Sequence, residues 1–495
     1  MLVLALIPLV VDPWSLVRVE DPNYPGAETH SATGSVLLEP PPPGIAWTEE
    51  DVPVTDSFVA EGALAALAVH PWHDGGFTGA GVKVAVFDLQ WFSSLDLTEE
   101  LGEFTSHDCF ADATCEQPID FLRPRFRFEQ GVHGIACAEI VRDIAPDVEL
   151  HLVRTQGRTT LENAIDWAVR EEMDIISMSL SFLNSSFHDG RGPVSELAAK
   201  AAAGGVLLVT SSGNYADSHW GGPWIDGDND GRLDFDGDNQ LDVRLGAGPQ
   251  STLVQWDQRL SCGETDLDLR LVDDEGRILG VSEVRQLPGA DRCQPYERVP
   301  SNVQEAQWGH LEVWLHRGAT VDLDVDLLST SGRLRPAMAE GSIADPAASP
   351  LAFAVGAVRA EGYFSNDVEA FSSWGSRTIG YPKPDIVGPN GVSTAAYGAR
   401  GFYGTSASTP AVAAAIALIM SEDPTLSSWQ AARLLQQSAF GGQPVFSEPS
   451  PAFGAGKARL PSLGATRTGC VRGDRSGLFF GLPLLWLARR RHRSG

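Results

Sequence analysis

Basic residues are scarce in this sequence of 495 residues. Lys and Arg total 36 against 65 Asp and Glu, which gives a formal net charge of −29. Because phosphate binding needs clustered cations, we expect no nucleic-acid partner. The six cysteines include no Cys-x-x-Cys pair, which argues against a cysteine-rich zinc site. No tandem repeat is detectable, and the apolar runs at both ends are too short for a comfortable membrane span.

The composition is otherwise that of a folded protein. Apolar residues make up 43% of the chain, enough for a large core. The 51 Gly and 32 Pro indicate many turns, which argues against a coiled coil or a simple helical bundle.

Both ends of the chain suggest export. Residues 1–20 begin with an apolar run of signal-peptide length, Met1 to Val11, for which the alternative is a hydrophobic strand. Residues 463–495 contain Cys470, an apolar segment and then the basic cluster from Arg489 to Arg493. This tail resembles myxobacterial-type C-terminal sorting signals, which implies display on the cell surface; a weak membrane anchor would give nearly the same location.

The remaining cysteines fit an exported protein. Cys109 with Cys115, and Cys262 with Cys293, lie in polar, loop-like sequence at spacings that a disulfide can close. Cys137 lies in an apolar helical stretch and is expected to be a buried thiol.

The chain divides by pattern into a body, an insert and flanking segments. Residues 21–62 are Pro-rich and predict an extended spacer. In 63–214 and 341–462, short apolar strands alternate with helices, which predicts an α/β fold with a doubly wound, mostly parallel sheet. Residues 215–340 contain runs of strict alternation, which predict an inserted antiparallel β domain.

Strands are expected at Val82–Asp88, Glu149–Arg154, Asp174–Leu180, Val206–Ser211 and Leu351–Ala357, with insert strands at Thr265–Leu271 and Thr320–Leu327. Helices are expected at Gly134–Val141, Thr160–Glu172, Pro193–Ala203, Ser406–Met420 and Ser428–Ser438.

Three chemical signals occur in a fixed order. Asp88 ends a strand, His133 opens a helix and Ser406 opens another, so that the chain offers an orienting carboxylate, a base and a nucleophile. A Ser at a helix N-terminus lies beside backbone N–H groups that can hold an oxyanion. Pro410 is expected in the first turn of that helix, where its missing N–H costs nothing. Asn214, directly after a strand, offers an amide donor to the same oxyanion.

These motifs resemble the subtilases, the subtilisin-like serine peptidases. The matching text is VAVFD around Asp88, HGIACAEI from His133, MSLS at 178–181, SSGN at 211–214, FSSWGS at 371–376, KPDIVGPN at 383–390 and GTSASTP at 404–410. The resemblance implies that Ser406 is the nucleophile, His133 the general base and Asp88 its orienting partner, with Asn214 and the Ser406 N–H as the oxyanion hole.

The resemblance also implies a substrate cleft. The residues expected to flank the pocket for the side chain before the scissile bond, with the substrate pairing along the first stretch, are Ser179, Leu180, Ser181, Ser211, Ser212 and Gly213. Two departures from the family pattern stand out: Leu89-Gln90 follow Asp88 in place of a small residue and Gly, and no inhibitor-like prodomain is evident.

An acidic stretch at 226–242 suggests calcium. Seven Asp occur in 17 residues, and Asp226, Asp228, Asp230 and Asp234 stand at positions one, three, five and nine of a calcium loop that lacks its closing Glu. We expect a structural calcium ion there, and a solvated acidic loop is the alternative.

The sequence therefore predicts an exported, surface-attached serine endopeptidase that acts on proteins or peptides without a catalytic cofactor. The alternative is an inactive surface adhesion or binding protein on the same scaffold. The insert resembles β-sandwich modules attached to secreted bacterial peptidases, and a mere packing insertion is equally compatible with its sequence.

Overall fold

The structure is a computed structural model. It describes residues 36–38, 60–93, 97–122, 131–183, 186–258, 264–286, 295–330, 332–375, 382–441 and 451–464.

The helices of the described residues are α1 (Glu61–Leu67), α2 (His70–Asp74), α3 (Leu97–Leu101), α4 (His133–Ile144), α5 (Arg158–Arg170), α6 (Pro193–Ala203), α7 (Thr405–Glu422) and α8 (Ser428–Gln437). The strands up to the insert are β1 (Val36–Leu38), β2 (Lys83–Asp88), β3 (Phe104–Asp108), β4 (Glu149–Arg154), β5 (Ile175–Met178), β6 (Leu180–Phe182) and β7 (Leu207–Ser211). Those of the insert are β8 (His219–Pro223), β9 (Leu241–Leu245), β10 (Gly248–Trp256), β11 (Asp266–Val272), β12 (Ile278–Ser282), β13 (Tyr296–Val303), β14 (Gln307–Arg317), β15 (Asp324–Ser329) and β16 (Arg333–Arg335). The last are β17 (Phe353–Arg359), β18 (Ile386–Asn390), β19 (Val392–Thr394) and β20 (Gly398–Phe402).

A parallel sheet forms the centre of the molecule. Its seven strands have the order β18-β17-β7-β5-β2-β4-β3, and each neighbouring pair is parallel. Side chains alternate across it: Val84 and Val86 of β2 pack in one core with α4 and α7, whereas Ala85 and Phe87 pack in another with α5 and α6. Both faces are therefore covered, which confirms the predicted doubly wound α/β fold.

Helix α7 runs through the larger of these two cores. Almost all of its residues are buried, including the small residues of its Ala-rich run, so it has no solvent-facing stripe. Small side chains let the helix lie close to the sheet and to α4, and this fixes its N-terminus beside the carboxyl ends of the strands.

The insert consists of two antiparallel sheets around one apolar core. Their strand orders are β13-β10-β15-β8 and β12-β11-β14-β9-β16, and their inward side chains include Trp256, Leu269 and Val313. The strand predicted at Thr320–Leu327 begins only at Asp324, because the chain first makes a turn in which Asp322 has a positive φ of 57°. The two packed sheets form a β-sandwich, and their antiparallel pairing agrees with the alternating sequence.

Backbone hydrogen bonds join the first and last residues of the insert, and we call these paired segments, 217–219 and 334–338, the neck of the insert. The N–H of Leu334 donates to the carbonyl of Asp217 at 3.1 Å, and that of Met338 donates to the carbonyl of His219 at 2.7 Å. The entering and leaving chains are therefore hydrogen-bonded to each other.

Apolar side chains join the insert to the body. Leu253 of β10 and Leu328 of β15 share a buried cluster with Leu183, which follows β6, and with Tyr215, which follows Asn214. The insert thus packs directly behind the two stretches that are predicted to line the substrate cleft.

The Pro-rich segment contains a strand that the sequence does not suggest. β1 pairs antiparallel with β6, in the register Leu38 with Leu180, Leu37 with Ser181 and Val36 with Phe182. Its partner β6 belongs to the stretch predicted to pair with substrate.

Two cysteine predictions are confirmed: Cys109 and Cys115 form a disulfide, and Cys137 is a buried free thiol. The predicted signal segment 1–20, the pair Cys262–Cys293, Cys470 and the basic cluster near the end lie outside the described residues. Within the described part of the chain, no helix combines the length and apolar character needed to cross a membrane.

Candidate active site

Asp88 and His133 form a tight buried pair. The Asp88 Oδ2 and His133 Nδ1 atoms lie 2.6 Å apart, and both side chains are almost fully buried. The other oxygen, Oδ1, accepts the backbone N–H groups of Leu89 at 2.7 Å and Gln90 at 2.9 Å. Since these donors are backbone groups, the unusual Leu89-Gln90 pair leaves the carboxylate held in place. With Nδ1 committed to Asp88, the imidazole presents Nε2 for proton transfer.

The close approach of α4 to β2 requires a glycine after His133. A Cβ atom at Gly134 would lie 2.7 Å from Asp88 Cβ and 2.9 Å from Trp91 Cε2. Any larger residue would push the first turn of α4 away from β2, and His133 with it.

Ser406 is the second residue of α7. Its Oγ atom is buried, and so is His133 Nε2; within the described residues neither atom has a hydrogen-bond partner. If Ser406 is a nucleophile and His133 its base, a proton would pass between these two atoms. Hydrogen bonds of this kind are often long without substrate and shorten when it binds.

Pro410 lies in the second turn of α7, so the prediction of the first turn is wrong. At the sixth position of the helix, its missing N–H would have donated to the carbonyl of Ser406. That carbonyl accepts instead from the hydroxyl of Ser179 at 3.0 Å and from the thiol of Cys137 at 3.7 Å. Two side chains from other elements therefore fix the backbone of Ser406.

Asn214 lies beside the same turn. Its Oδ1 atom accepts the backbone N–H of Thr405 at 3.0 Å and the Thr405 hydroxyl at 3.1 Å. This orients the amide with Nδ2 as its donor end. Gly404, at a φ of 105°, leaves room for it, because a Cβ there would lie 2.9 Å from Asn214 Nδ2. The structure thus places Asn214 against Thr405, the residue before Ser406.

The predicted substrate-lining residues fall into two groups. Leu180 and Ser181 belong to β6, and the side chain of Ser179 is engaged with Ser406, as described above. Ser211 ends β7, and the two residues after it are held by backbone bonds: Ser212 N–H donates to Val355 at 2.9 Å, and Gly213 accepts from Ser373 at 2.8 Å. The second group leads directly to Asn214.

An aromatic pair against His133 is not predicted by the sequence. The ring of Phe402 meets the His133 ring edge to face, with centroids 5.2 Å apart and planes at 87°. Tyr397 stacks on Phe402 at 4.9 Å and 2°. Both belong to the hairpin β19–β20. The only hint of them in the sequence is the presence of aromatic residues just before the Ser motif.

Three acidic groups on α4 have pKa values raised by burial. Burial, together with the negative charge of Asp88, holds the pKa of the Cys137 thiol well above its usual range. Burial raises the pKa of Glu139 to about 8, with a further contribution from Glu100. Burial likewise raises the pKa of Asp143 to about 7.

The acidic stretch brings together three of its four predicted ligands. Carboxylate oxygens of Asp226, Asp228 and Asp230 lie within 4.8 Å of one another. Asp234 is used differently, since its Oδ2 accepts the N–H of Gly227 at 2.7 Å. Arg232 forms an ion pair with Asp230 and holds the pKa of that carboxyl below its usual value. Three close carboxylates suit a hard divalent cation, provided that Arg232 moves aside.

Comparisons with known proteins place this chain in a family. The sequence model of the Subtilase family matches residues 79–242 and 336–463, more than half of the chain. The minor extracellular protease Vpr of Bacillus subtilis (strain 168) is 29% identical over 160 residues, 30% of this chain and 19% of Vpr. Alkaline elastase YaB of Bacillus sp. (strain YaB) is 27% identical over 197 residues, 37% of this chain and 47% of that protein. The matches thus span less than half the length of either relative.

A solved structure shares the fold. The CspB protease of Clostridium perfringens has a TM-score of 0.54 at 16% identity, over 80% of this chain and 97% of that one. The stretch between the two family matches, residues 243–335, contains most of the sandwich strands.

Proposed function

Because this chain belongs to the Subtilase family, we propose that it is a serine endopeptidase that cleaves peptide bonds through an acyl-enzyme at Ser406. The observation that carries the proposal is the buried Asp88–His133 pair at 2.6 Å, with His133 Nε2 and Ser406 Oγ left as the buried atoms available for proton transfer. Such a set supplies a nucleophile, its base and the group that orients the base.

The chemistry follows from these positions. Ser406 Oγ attacks the substrate carbonyl while His133 Nε2 takes its proton, and Asp88 stabilises the imidazolium that forms. The negative charge on the tetrahedral oxygen is met by Asn214 Nδ2 and by the backbone N–H of Ser406. His133 then gives the proton to the leaving amine, and water hydrolyses the acyl-enzyme by the same route.

The substrate would be an extended peptide. Edge strands bind such peptides as an additional strand, and Leu180–Phe182 is the edge that leads to the site. In this structure β1 pairs with that edge. A peptide that uses the edge therefore has to displace β1.

The place of action would be outside the cytoplasm. Vpr is named as an extracellular protease, and the Cys109–Cys115 disulfide fits an oxidising compartment. Together with the apolar ends of the sequence, this supports an exported protein that is attached to the cell envelope through residues 463–495. The insert, 215–340, would stabilise the body or help to dock substrates.

A structural calcium ion is a second part of the proposal. Asp226, Asp228 and Asp230 would hold it, with Asp234 keeping the loop closed through Gly227. The ion would neutralise an acidic stretch and take no part in catalysis.

Labelling with a fluorophosphonate tests the activity. The purified protein should react covalently at Ser406, and Ser406→Ala should not react. A protein that shows the circular dichroism of the folded state but no Ser406-dependent labelling would favour the inactive binding protein on a peptidase scaffold.

A further inference from the structure

A short hairpin links the base to the nucleophile. β19 and β20 pair antiparallel, and β20 ends at Phe402, whose ring lies against His133. Four residues further along the chain is Ser406. The position of this hairpin therefore bears on both residues that exchange the proton.

One buried carboxylate holds the turn of this hairpin. Glu139 lies on α4, six residues after His133, and its residue exposure is 1%. Its Oε2 accepts the N–H of Ala395 at 2.5 Å, and its Oε1 accepts the N–H of Ala396 at 3.1 Å. These two donors lie between β19 and Tyr397, which stacks on Phe402. Burying a carboxyl group costs free energy unless hydrogen bonds replace those that it made to water, and here the two backbone N–H groups provide them.

We propose that Glu139 is a positioning residue of the active site. By accepting both N–H groups of the turn, it fixes the hairpin against α4 and so keeps Phe402 against the imidazole of His133. This inference rests on the proposed peptidase function. It concerns the alignment of the base and the nucleophile, and Glu139 itself touches neither.

The bidentate contact requires a carboxylate. A glutamine at position 139 has one acceptor oxygen, and its NH₂ group would face a backbone N–H, so one of the two bonds would be lost. The shape and volume of the side chain would be kept. Glu139→Gln therefore tests the contact without opening a cavity.

Ionisation of Glu139 gives an independent readout. Its charged neighbours are Glu100 on α3 and Asp143 on α4, and the hairpin contributes the N–H groups of Ala395 and Ala396. Because the pKa of Glu139 is about 8, both of its carboxyl oxygens act as full acceptors only when the pH is above this value. The wild-type kcat should therefore rise in a step near that pH, and this step should depend on Glu139.

A matched control exists on the same helix. Asp143 is also buried on α4, and its Oδ2 accepts a single backbone N–H, from Ala60 at 2.7 Å. It contacts the start of α1 and not the hairpin. Asp143→Asn therefore imposes the same chemical change at a place without a link to His133.

The experiment measures peptide hydrolysis and fluorophosphonate labelling across pH for both variants. For Glu139→Gln we expect kcat to fall by about tenfold, as small misalignments do, with KM changed by less than about twofold. The alkaline step in kcat should vanish. Asp143→Asn should keep the rate and retain a step, which should lie at a lower pH because the charge of Asp143 helps to raise the pKa of Glu139.

A double mutant tests the route through the hairpin. If Glu139 acts through Phe402, then Glu139→Gln should add little to the loss caused by Phe402→Leu. Fully multiplicative losses, an unchanged kcat in Glu139→Gln, or an equal loss in Asp143→Asn would overturn the inference. Failure of the peptidase proposal itself is distinguishable, because the wild-type protein would then not label at Ser406.

Discussion

The hydroxyl of Ser179 donates to the carbonyl oxygen of Ser406 at 3.0 Å, in place of the backbone N–H that Pro410 lacks. Ser179→Ala would leave this buried carbonyl with only the weak thiol donor of Cys137. We expect a loss of about 1–3 kcal/mol in the free energy of unfolding, the usual cost of an unsatisfied buried acceptor. Denaturant unfolding of the two proteins in a Ser406→Ala background, which removes the proposed nucleophile, measures this loss.

The control repeats Ser179→Ala in a protein that also carries Pro410→Ala. This second change restores a backbone N–H four residues after Ser406, so the loss in the free energy of unfolding should be less than half as large. An equal cost in both backgrounds would mean that the carbonyl is not what Ser179 stabilises.

The stability conferred by Glu139 should depend on pH. Its pKa is raised from 4.5 in the unfolded chain to about 8, so the folded protein retains a proton that the unfolded protein has released. Wild-type stability from this group is complete below pH 4.5 and is lost as the pH rises through 8. Glu139→Gln does not titrate. Its free energy of unfolding should therefore rise relative to that of the wild type across this window and then level off, with a total gain on the order of a few kcal/mol.

Asp143→Asn should behave likewise in a lower window, since the pKa of Asp143 is raised from 3.8 to about 7. Melting curves at several pH values between these limits make the comparison. A stability of Glu139→Gln that falls relative to the wild type as the pH rises would contradict the expected sign.

Removal of calcium should destabilise the insert. If an ion binds Asp226, Asp228 and Asp230, chelation with EDTA should lower the melting temperature, and added calcium should restore it. Asp228→Asn should weaken both responses. Asp236→Asn, in the same stretch but outside the three close carboxylates, is the control that should leave them intact. An EDTA melting curve that superimposes on the untreated one would exclude the site.

Weakening β1 should help substrates to bind. The N–H of Phe182 donates to the carbonyl of Asp345 at 2.8 Å, on the side of β6 away from β1. Successive residues of a strand direct their backbone groups to opposite sides, so those of Ser181 face Leu37 of β1. Leu37→Pro removes the donor that faces Ser181. We expect KM for an extended peptide to fall by about threefold or more, equivalent to one lost hydrogen bond.

Leu38→Pro is the matched control, because the N–H of Leu38 faces away from β6. It should change KM little. Peptide kinetics on the full chain compare the two, and a KM that is equal in both variants and the wild type would show that β1 does not compete with substrate.

Local pattern was enough for many elements. Strand β4 at Glu149–Arg154 and helix α6 at Pro193–Ala203 have the predicted bounds, because an apolar run and an N-terminal proline specify them within a few residues. The strand predicted at Asp174–Leu180 is instead divided into β5 and β6 at Ser179. That residue is bound to Ser406, 227 positions away, and no local pattern contains such information.

The same limit applies to the candidate site. The order of Asp88, His133 and Ser406 could be read from motifs, since each motif is local. Glu139 could not be recognised, because a carboxylate in a helix normally faces water and its partner Ala395 lies 256 positions further on. β1 was missed for a related reason: a three-residue strand exists only through its pairing with β6.

The neck of the insert has a consequence for how the chain folds. Strands β7 and β17 are neighbours in the central sheet, with Val209 opposite Phe353, although the whole insert separates them in sequence. Once the sandwich has formed, the bonds from Leu334 to Asp217 and from Met338 to His219 bring the two ends of that long loop together. The entropic cost of closing the loop has then been met during folding of the insert. Pairing of β7 with β17 therefore resembles pairing between strands that are close in sequence. Early folding of the insert would thus nucleate completion of the sheet around it.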